Sequence, residues 1–493
     1  MQKKKLALGL LTMLFLSQSA TAYACTGFII GKDLTKDGTA LYGRTEDLEP
    51  NHNKTFVVYP AKTNKTGAKL VDESNGFTYS LPNQSYKYTA VPDVTPKDGV
   101  YDEAGFNEFG VSMSATVSAT ANDKILKLDP YIEDGLAESN MTSLILPSVK
   151  TAKEGIELIA KVVTEKGSAE GNIVVLADKE GIWYMEILSG HQYVAIKFPD
   201  DKFAVFPNTF FLGHVDFADK EHVIASSGVE DLAKKADSYK EVDGQFHIAQ
   251  SYNPKLSDGN RSRSYSGIKS LDPDSKVTYK DDYYELLQST DKKFDLQDAM
   301  KLQRNRFEGL ELKPLDQMEL DGKGKPDSKN AVDGYAYPIS NPNVMEAHIF
   351  QLKENVPAQL GGGVMWLSVG SPRFAPYLPY YGNITDTYKA YKKTNTKYNK
   401  KSWYWTVSHI NQMIAKNPDK YSQKVLDQIQ ELESQWMKEI ATDEEKLVKL
   451  SQSDPETAAK ESTETSKQRA KEAFKQLKTI EKDIAKQSKS DKK

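Results

Sequence analysis

The chain holds a single cysteine, Cys25, among its 493 residues. No internal disulfide can close, which leaves the thiol incidental, lipid-bearing, paired between chains, or chemically active. Histidine is scarce as well. The seven are scattered with no His-x-x-x-His pair, so the spacing of a helical zinc site is missing. Asp33, Asp37 and Gly38 fit positions one, five and six of a calcium loop, but Arg44 stands where position twelve requires a carboxylate. Gly361-Gly362-Gly363 lacks the Lys-Ser/Thr of a phosphate-binding loop and reads as the entry to a strand. No metal and no organic cofactor is expected. Positive charge is not in excess either: the net charge is −4 and the lysines are spread, which removes the electrostatic case for nucleic acid or an anionic membrane. There is no internal repeat of fixed period, and no apolar run reaches the ~20 residues that span a bilayer.

What is present begins with a positive segment, Lys3 to Lys5, an apolar run from Leu6 to Leu16, and small residues at Ala22 and Ala24. That order is a cleavable export signal, which predicts loss of residues 1–24 and a secreted protein with no stable membrane anchor. From Cys25 to Phe206 short apolar or alternating runs are broken by turn residues, the pattern of antiparallel sheet. Thr26 to Gly31 and Thr39 to Gly43 form a hairpin around Lys36-Asp37-Gly38, and Asp178 to Gly181 marks another turn. Apolar spacing predicts helix over Met141 to Thr164, an exposed loop over Asp321 to Gly334, and a second sheet region from Glu346 to Gly370. Tyr377 to Tyr381 and Trp403 to Trp405 read as packing rather than a ligand platform. The expected division is 1–24 signal, 25–400 main domain and 401–493 helical extension. Within the extension, Val425, Ile429, Leu432, Trp436 and Ile440 form one stripe, and Ala470, Phe474, Leu477, Ile480 and Ile484 another. The last forty or so residues are polar enough to suggest a detached helix or disorder.

A chain begun at Cys25 would join thiol and α-amine on one residue. The amine, of pKa about 7.7–8, can accept the thiol proton, so one residue supplies nucleophile and base. Buried structural cysteine and lipid attachment are the alternatives; the second is disfavoured because Ala22 and Tyr23 depart from the aliphatic and small residues that precede a lipidated cysteine.

Cys25-Thr26-Gly27-Phe28, a hairpin, and then Gly43-Arg44-Thr45-Glu46-Asp47 resemble the start of mature dipeptidases of the N-terminal-nucleophile cysteine peptidases, relatives of bile-salt hydrolases and penicillin V acylases. The resemblance continues through Glu103 to Gly110, Ser112 to Ser118, Phe206-Pro207-Asn208 and Arg261-Ser262-Arg263. Gly361 to Gly370, Pro372 and Tyr377 to Tyr381 are similar to the dipeptidase branch. It implies an α+β fold, a four-layer αββα sandwich with Cys25 at a strand start between two sheets. By the same resemblance Cys25 is the nucleophile, Arg44 lowers its pKa, Asp47 orients the α-amine, Asn208 stabilises the oxyanion and Arg263, rather than Arg261, is a second active-site arginine. Thr116 is a candidate for substrate contact on the facing strand. The expected activity is hydrolysis of small peptides. An amide acylase of the same fold and a surface lipoprotein that binds peptides uncleaved are the alternatives.

Overall fold

The computed structural model describes residues 25–48, 52–94, 102–318 and 334–490. The export signal and positions 321–333 of the expected loop lie outside them. Twelve strands build two sheets: β1 Thr26–Ile30, β2 Ala40–Asp47, β3 Ala104–Phe106, β4 Ser112–Ala119, β5 Gly171–Asp178, β6 Gly181–Ile187, β7 Tyr193–Lys197, β8 Phe203–Phe206, β9 Val223–Ala225, β10 Val344–Leu352, β11 Gly363–Val369 and β12 Leu378–Tyr381. One sheet has the order β8-β1-β2-β10-β11-β12, the other β9-β7-β6-β5-β4-β3, each with six strands. All pairings within them are antiparallel. The sheet region expected from Glu346 to Gly370 is β10 and β11, and it belongs to the first sheet: β10 pairs directly with β2, Arg44 opposite His348.

Side-chain alternation explains the layers. On β5 and β6, Ile173, Val175, Ile182 and Tyr184 join the core shared with the first sheet, whereas Val174, Leu176, Trp183 and Met185 join the core under helices α1 (Glu138–Ile145) and α2 (Ala152–Lys166). With both faces covered, these strands read as nearly continuous apolar runs. The sheets meet through polar contacts as well, Tyr42 OH to Ser112 Oγ at 2.7 Å and His348 Nε2 to Ser114 Oγ at 2.8 Å. Across the outer face of the first sheet lie α3 (Asp258–Leu271) and α4 (Leu296–Gln303). The order helix, sheet, sheet, helix is the four-layer arrangement.

The single helix expected over Met141 to Thr164 is two. Pro147 lacks the N–H that would continue α1, and Thr151 restarts the chain as α2 by accepting the Glu154 N–H at 3.1 Å. At the end of the chain, α5 (Trp403–Ala415), α6 (Pro418–Ser453) and α7 (Pro455–Ser490) pack together, and α6 and α7 also contact β12. α7 is thus neither detached nor irregular. Ala458, Ser462, Ser466, Ala470 and Ala473 are buried along one stripe, small enough for close helix approach, and Leu477, Ile480 and Ile484 extend it. A polar average composition conceals that stripe.

Candidate active site

Cys25, 3% exposed, precedes β1. Its Sγ accepts the Asp47 backbone N–H at 3.5 Å, because the β1–β2 ladder ends with the cysteine against the last residues of β2. Gly27 and Arg44 are ladder partners, so by alternation Cys25, Gly27 and Arg44 lie on the face turned to the second sheet. Gly27 is required there: a Cβ would come within 2.1 Å of the Phe206 ring, which covers it.

Arg44 is fully buried. Its guanidinium donates to the Thr116 carbonyl, to the Glu103 carboxylate and to Glu138 Oε1 at 3.3 Å, with Glu346 at 3.8 Å. Asp47 sits at a register shift in the β2–β10 ladder. Its Oδ2 accepts from Asn341 Nδ2 at 2.5 Å, while Oδ1 is buried with no partner. Arg263, on α3, donates through Nη1 to the Cys25 carbonyl at 2.5 Å, to Thr26 Oγ1 at 3.1 Å and to Asn208 Oδ1 at 3.0 Å. Arg261 points elsewhere, to the Asp281 carbonyl and Asp282. Arg263 therefore ties Cys25 to Asn208, and Asp47 reaches Cys25 through its N–H; Arg44, with the Thr116 carbonyl on it, connects to them through Glu138 and Ser118, whose Oγ lies 3.4 Å from Glu138 Oε2 and whose carbonyl accepts from Asn208.

Burial pushes the Cys25 thiol well above its ordinary pKa; Arg44 opposes this and Glu138 and Asp47 add to it. Arg44 thus pulls the thiol pKa down, in the direction expected of it, and the desolvation of the thiolate is the larger effect. Burial likewise raises Asp47, against the pull of Arg263. Asn208 departs from a free oxyanion donor in one respect. Its Nδ2 already donates to the Ser118 carbonyl at 2.8 Å, leaving one N–H. The Thr116 hydroxyl is buried without a partner.

The sequence reading missed the acids around Arg44, together with Lys54, Asn341 and Asn260. Lys54 is buried on Glu46 at 2.7 Å, and Asn260 Oδ1 accepts from Arg263 at 2.7 Å. Two of them, Glu46 and Glu346, are ladder partners inside strands whose neighbours are buried, a pairing that the fold alone brings together. Among the described residues no group of three His, Cys, Asp or Glu side chains is disposed to hold a metal ion, and no helix is long and apolar enough to cross a membrane.

Residues 24–431 match peptidase family C69. The chain is 73% identical over 440 residues to a probable dipeptidase B of Streptococcus pyogenes serotype M3, covering 89% of this chain and 88% of that one. It is 32% identical over 416 residues to a probable dipeptidase of Latilactobacillus sakei, covering 84% and 85%. Among solved structures, conjugated bile acid hydrolase from Clostridium perfringens aligns at a TM-score of 0.28 and 13% identity, covering 70% of this chain and 89% of that one.

Proposed function

The chain belongs to peptidase family C69, and from that premise we propose that it is an exported dipeptidase whose nucleophile is Cys25, exposed as the first residue by removal of residues 1–24. The unit that carries the chemistry would be 25–400, with 401–493 as its helical buttress. One observation carries the mechanism: Asp47 Oδ1 is buried without a partner beside the residue whose nitrogen becomes an amine on cleavage. A buried carboxylate oxygen is costly unless something donates to it, and the new α-amine is a donor of the right kind.

The raised thiol pKa fits this scheme. The resting sulfur is a thiol, so attack on the peptide carbonyl needs a base at that moment, and the amine of pKa about 8 takes the proton. The sulfur–carbon bond forms as the carbonyl π-electrons move to oxygen. The remaining Asn208 N–H is suited to that oxyanion. Collapse expels the leaving amine, which receives the proton from the α-ammonium, and water then releases the acyl group from Cys25. Arg263 fixes the amide orientation of Asn208 by holding its Oδ1.

The test changes one nitrogen. A chain begun at Cys25, after an initiating Met that the host removes, is expected to hydrolyse dipeptides. A chain begun at Ala24 keeps every side chain but turns that amine into an amide, and should lose at least about 100-fold in turnover. Equal turnover, with N-terminal sequencing showing Ala24 retained, would defeat the proposal. Intact mass of the processed protein separates the lipoprotein alternative, and glycine- or taurine-conjugated acids as substrates separate the acylase.

A further inference from the structure

Cleavage of dipeptides, the reading on which this inference rests, places a demand on the site. The acyl half of a dipeptide carries its α-ammonium on the carbon next to the attacked carbonyl. A positive charge must therefore come to rest close to Cys25 Sγ, and a protein specific for such substrates needs an acceptor there.

Five carboxylates surround Cys25 and Arg44, and four are committed and closed to solvent. Glu46 is paired with Lys54, Glu103 with Arg44 and Glu346 with His348 at 3.1 Å, while Asp47 gives one oxygen to Asn341 and, on the reading above, the other to the α-amine of Cys25. None of the four exceeds 2% exposure. Glu138 differs in both respects. Its side chain keeps 19% exposure, and its two contacts are long, 3.3 Å from Arg44 Nη1 and 3.4 Å from Ser118 Oγ, so both oxygens retain lone pairs for a further donor. The backbone holds it in place: Glu138 opens α1, and its N–H donates to Glu170 Oε1 at 2.9 Å. Thr116, whose carbonyl shares Arg44 Nη1 with Glu138, adds a buried hydroxyl that has no partner.

The position also costs the nucleophile something. Glu138 works against Arg44 by making the Cys25 thiolate harder to form. A cation bound at Glu138 would offset that effect.

We propose that Glu138 receives the α-ammonium of the substrate, with Thr116 Oγ1 as a second acceptor, and so restricts the enzyme to peptides whose first residue is unblocked. The measurement compares a free dipeptide as substrate with its N-acetylated form as competitive inhibitor, in the processed wild-type enzyme and in Glu138→Gln. In the wild type, Ki for the blocked peptide should exceed KM for the free one by about tenfold or more, the order set by one hydrogen bond to a charged group. In Glu138→Gln the two should converge, through a rise in KM with Ki unchanged. A ratio that stays at its wild-type value overturns the proposal, including the case where turnover of the free peptide falls because Glu138 merely positions Arg44. Should Glu138→Gln fail to fold, Glu138→Asp draws the charge back by one methylene and the ratio should narrow; an unchanged ratio again overturns it. Turnover in the wild type, abolished by Cys25→Ala, tests the nucleophile and is read separately from the ratio.

Discussion

Asp47 is the residue at which function and stability pull apart. Burial raises its pKa, Asn341 satisfies only one oxygen, and the other is left without a donor. An asparagine at this position keeps an oxygen for Asn341 and removes a charge that folding must desolvate. In the unprocessed chain, where the Cys25 nitrogen is an amide, Asp47→Asn is therefore expected to be at least as stable as the wild type at pH 8, while in the processed enzyme turnover falls about 100-fold or more. Thermal unfolding of the unprocessed chain and initial rates of the processed enzyme measure the two; turnover within twofold of the wild type would remove Asp47 from the mechanism. The same neighbourhood shows what a sequence can carry. Cys25, Arg44 and Asp47 are legible through the family resemblance, whose opening motif is compact in sequence because one hairpin folds β2 back beside the start of β1. Glu103, Glu138 and Asn341 reach the site from segments far apart in sequence. Nothing local to Glu138 distinguishes a site acid from an ordinary first-turn residue.

At the scale of elements, α6 shows why apolar periodicity recovered the helix but not its anchoring. Tyr421, Val425, Ile429, Trp436, Ile440 and Leu447 fill its buried stripe, and Glu433 and Glu444 occupy the same stripe. Glu433 accepts two bonds from Arg304, at 2.9 and 2.6 Å, and the Tyr377 N–H at 2.8 Å; Glu444 accepts from Lys353 at 2.7 Å. These acids fasten the helix to the edge of the first sheet. Two charged residues in an apolar stripe look like interruptions until their partners, more than fifty positions away, are known. Glu433→Ala would leave Arg304 buried without its counter-charge, a loss of about 3–5 kcal/mol. Glu461→Ala breaks an exposed pair with Lys446 and should cost less than about 1 kcal/mol. Urea denaturation of the two variants checks the contrast, and equal losses would mean that α6 is held by its apolar contacts alone.

Over the whole molecule, the interior of the sandwich carries an unusual load of acid. Glu46, Glu170 and Glu186 are each pushed up to about 7, in every case chiefly by burial, and burial also raises Glu103. Glu346 goes the other way, because His348, Arg44 and Lys54 together outweigh its burial. A carboxyl raised in the folded state holds a proton that the unfolded chain has already released at pH values above its ordinary ~4.3. Stability from such a group is full below that value, falls as pH rises to about 7, and is level beyond. Lowered carboxylates such as Glu346, Asp72 and Glu481 are ionised in both the folded and the unfolded chain above pH 5.5, so the raised groups set the sign between pH 5.5 and 8 and the protein should unfold at lower urea at pH 8 than at pH 5.5. Glu186 isolates the effect. It is buried between the sheets, it accepts from Tyr184 OH at 2.7 Å and from the Phe211 and Leu212 N–H groups at 2.5 and 3.1 Å, and no charged partner lies among its perturbing groups. A rise from 4.5 to about 7 corresponds to about 3 kcal/mol at ~1.4 kcal/mol per pKa unit. Glu186→Gln keeps an oxygen for those three donors and cannot ionise, so its stability should change less between pH 5 and pH 7.5 than that of the wild type. A variant with the full wild-type slope would show that Glu186 is ionised throughout, and that the pH dependence of the fold arises elsewhere.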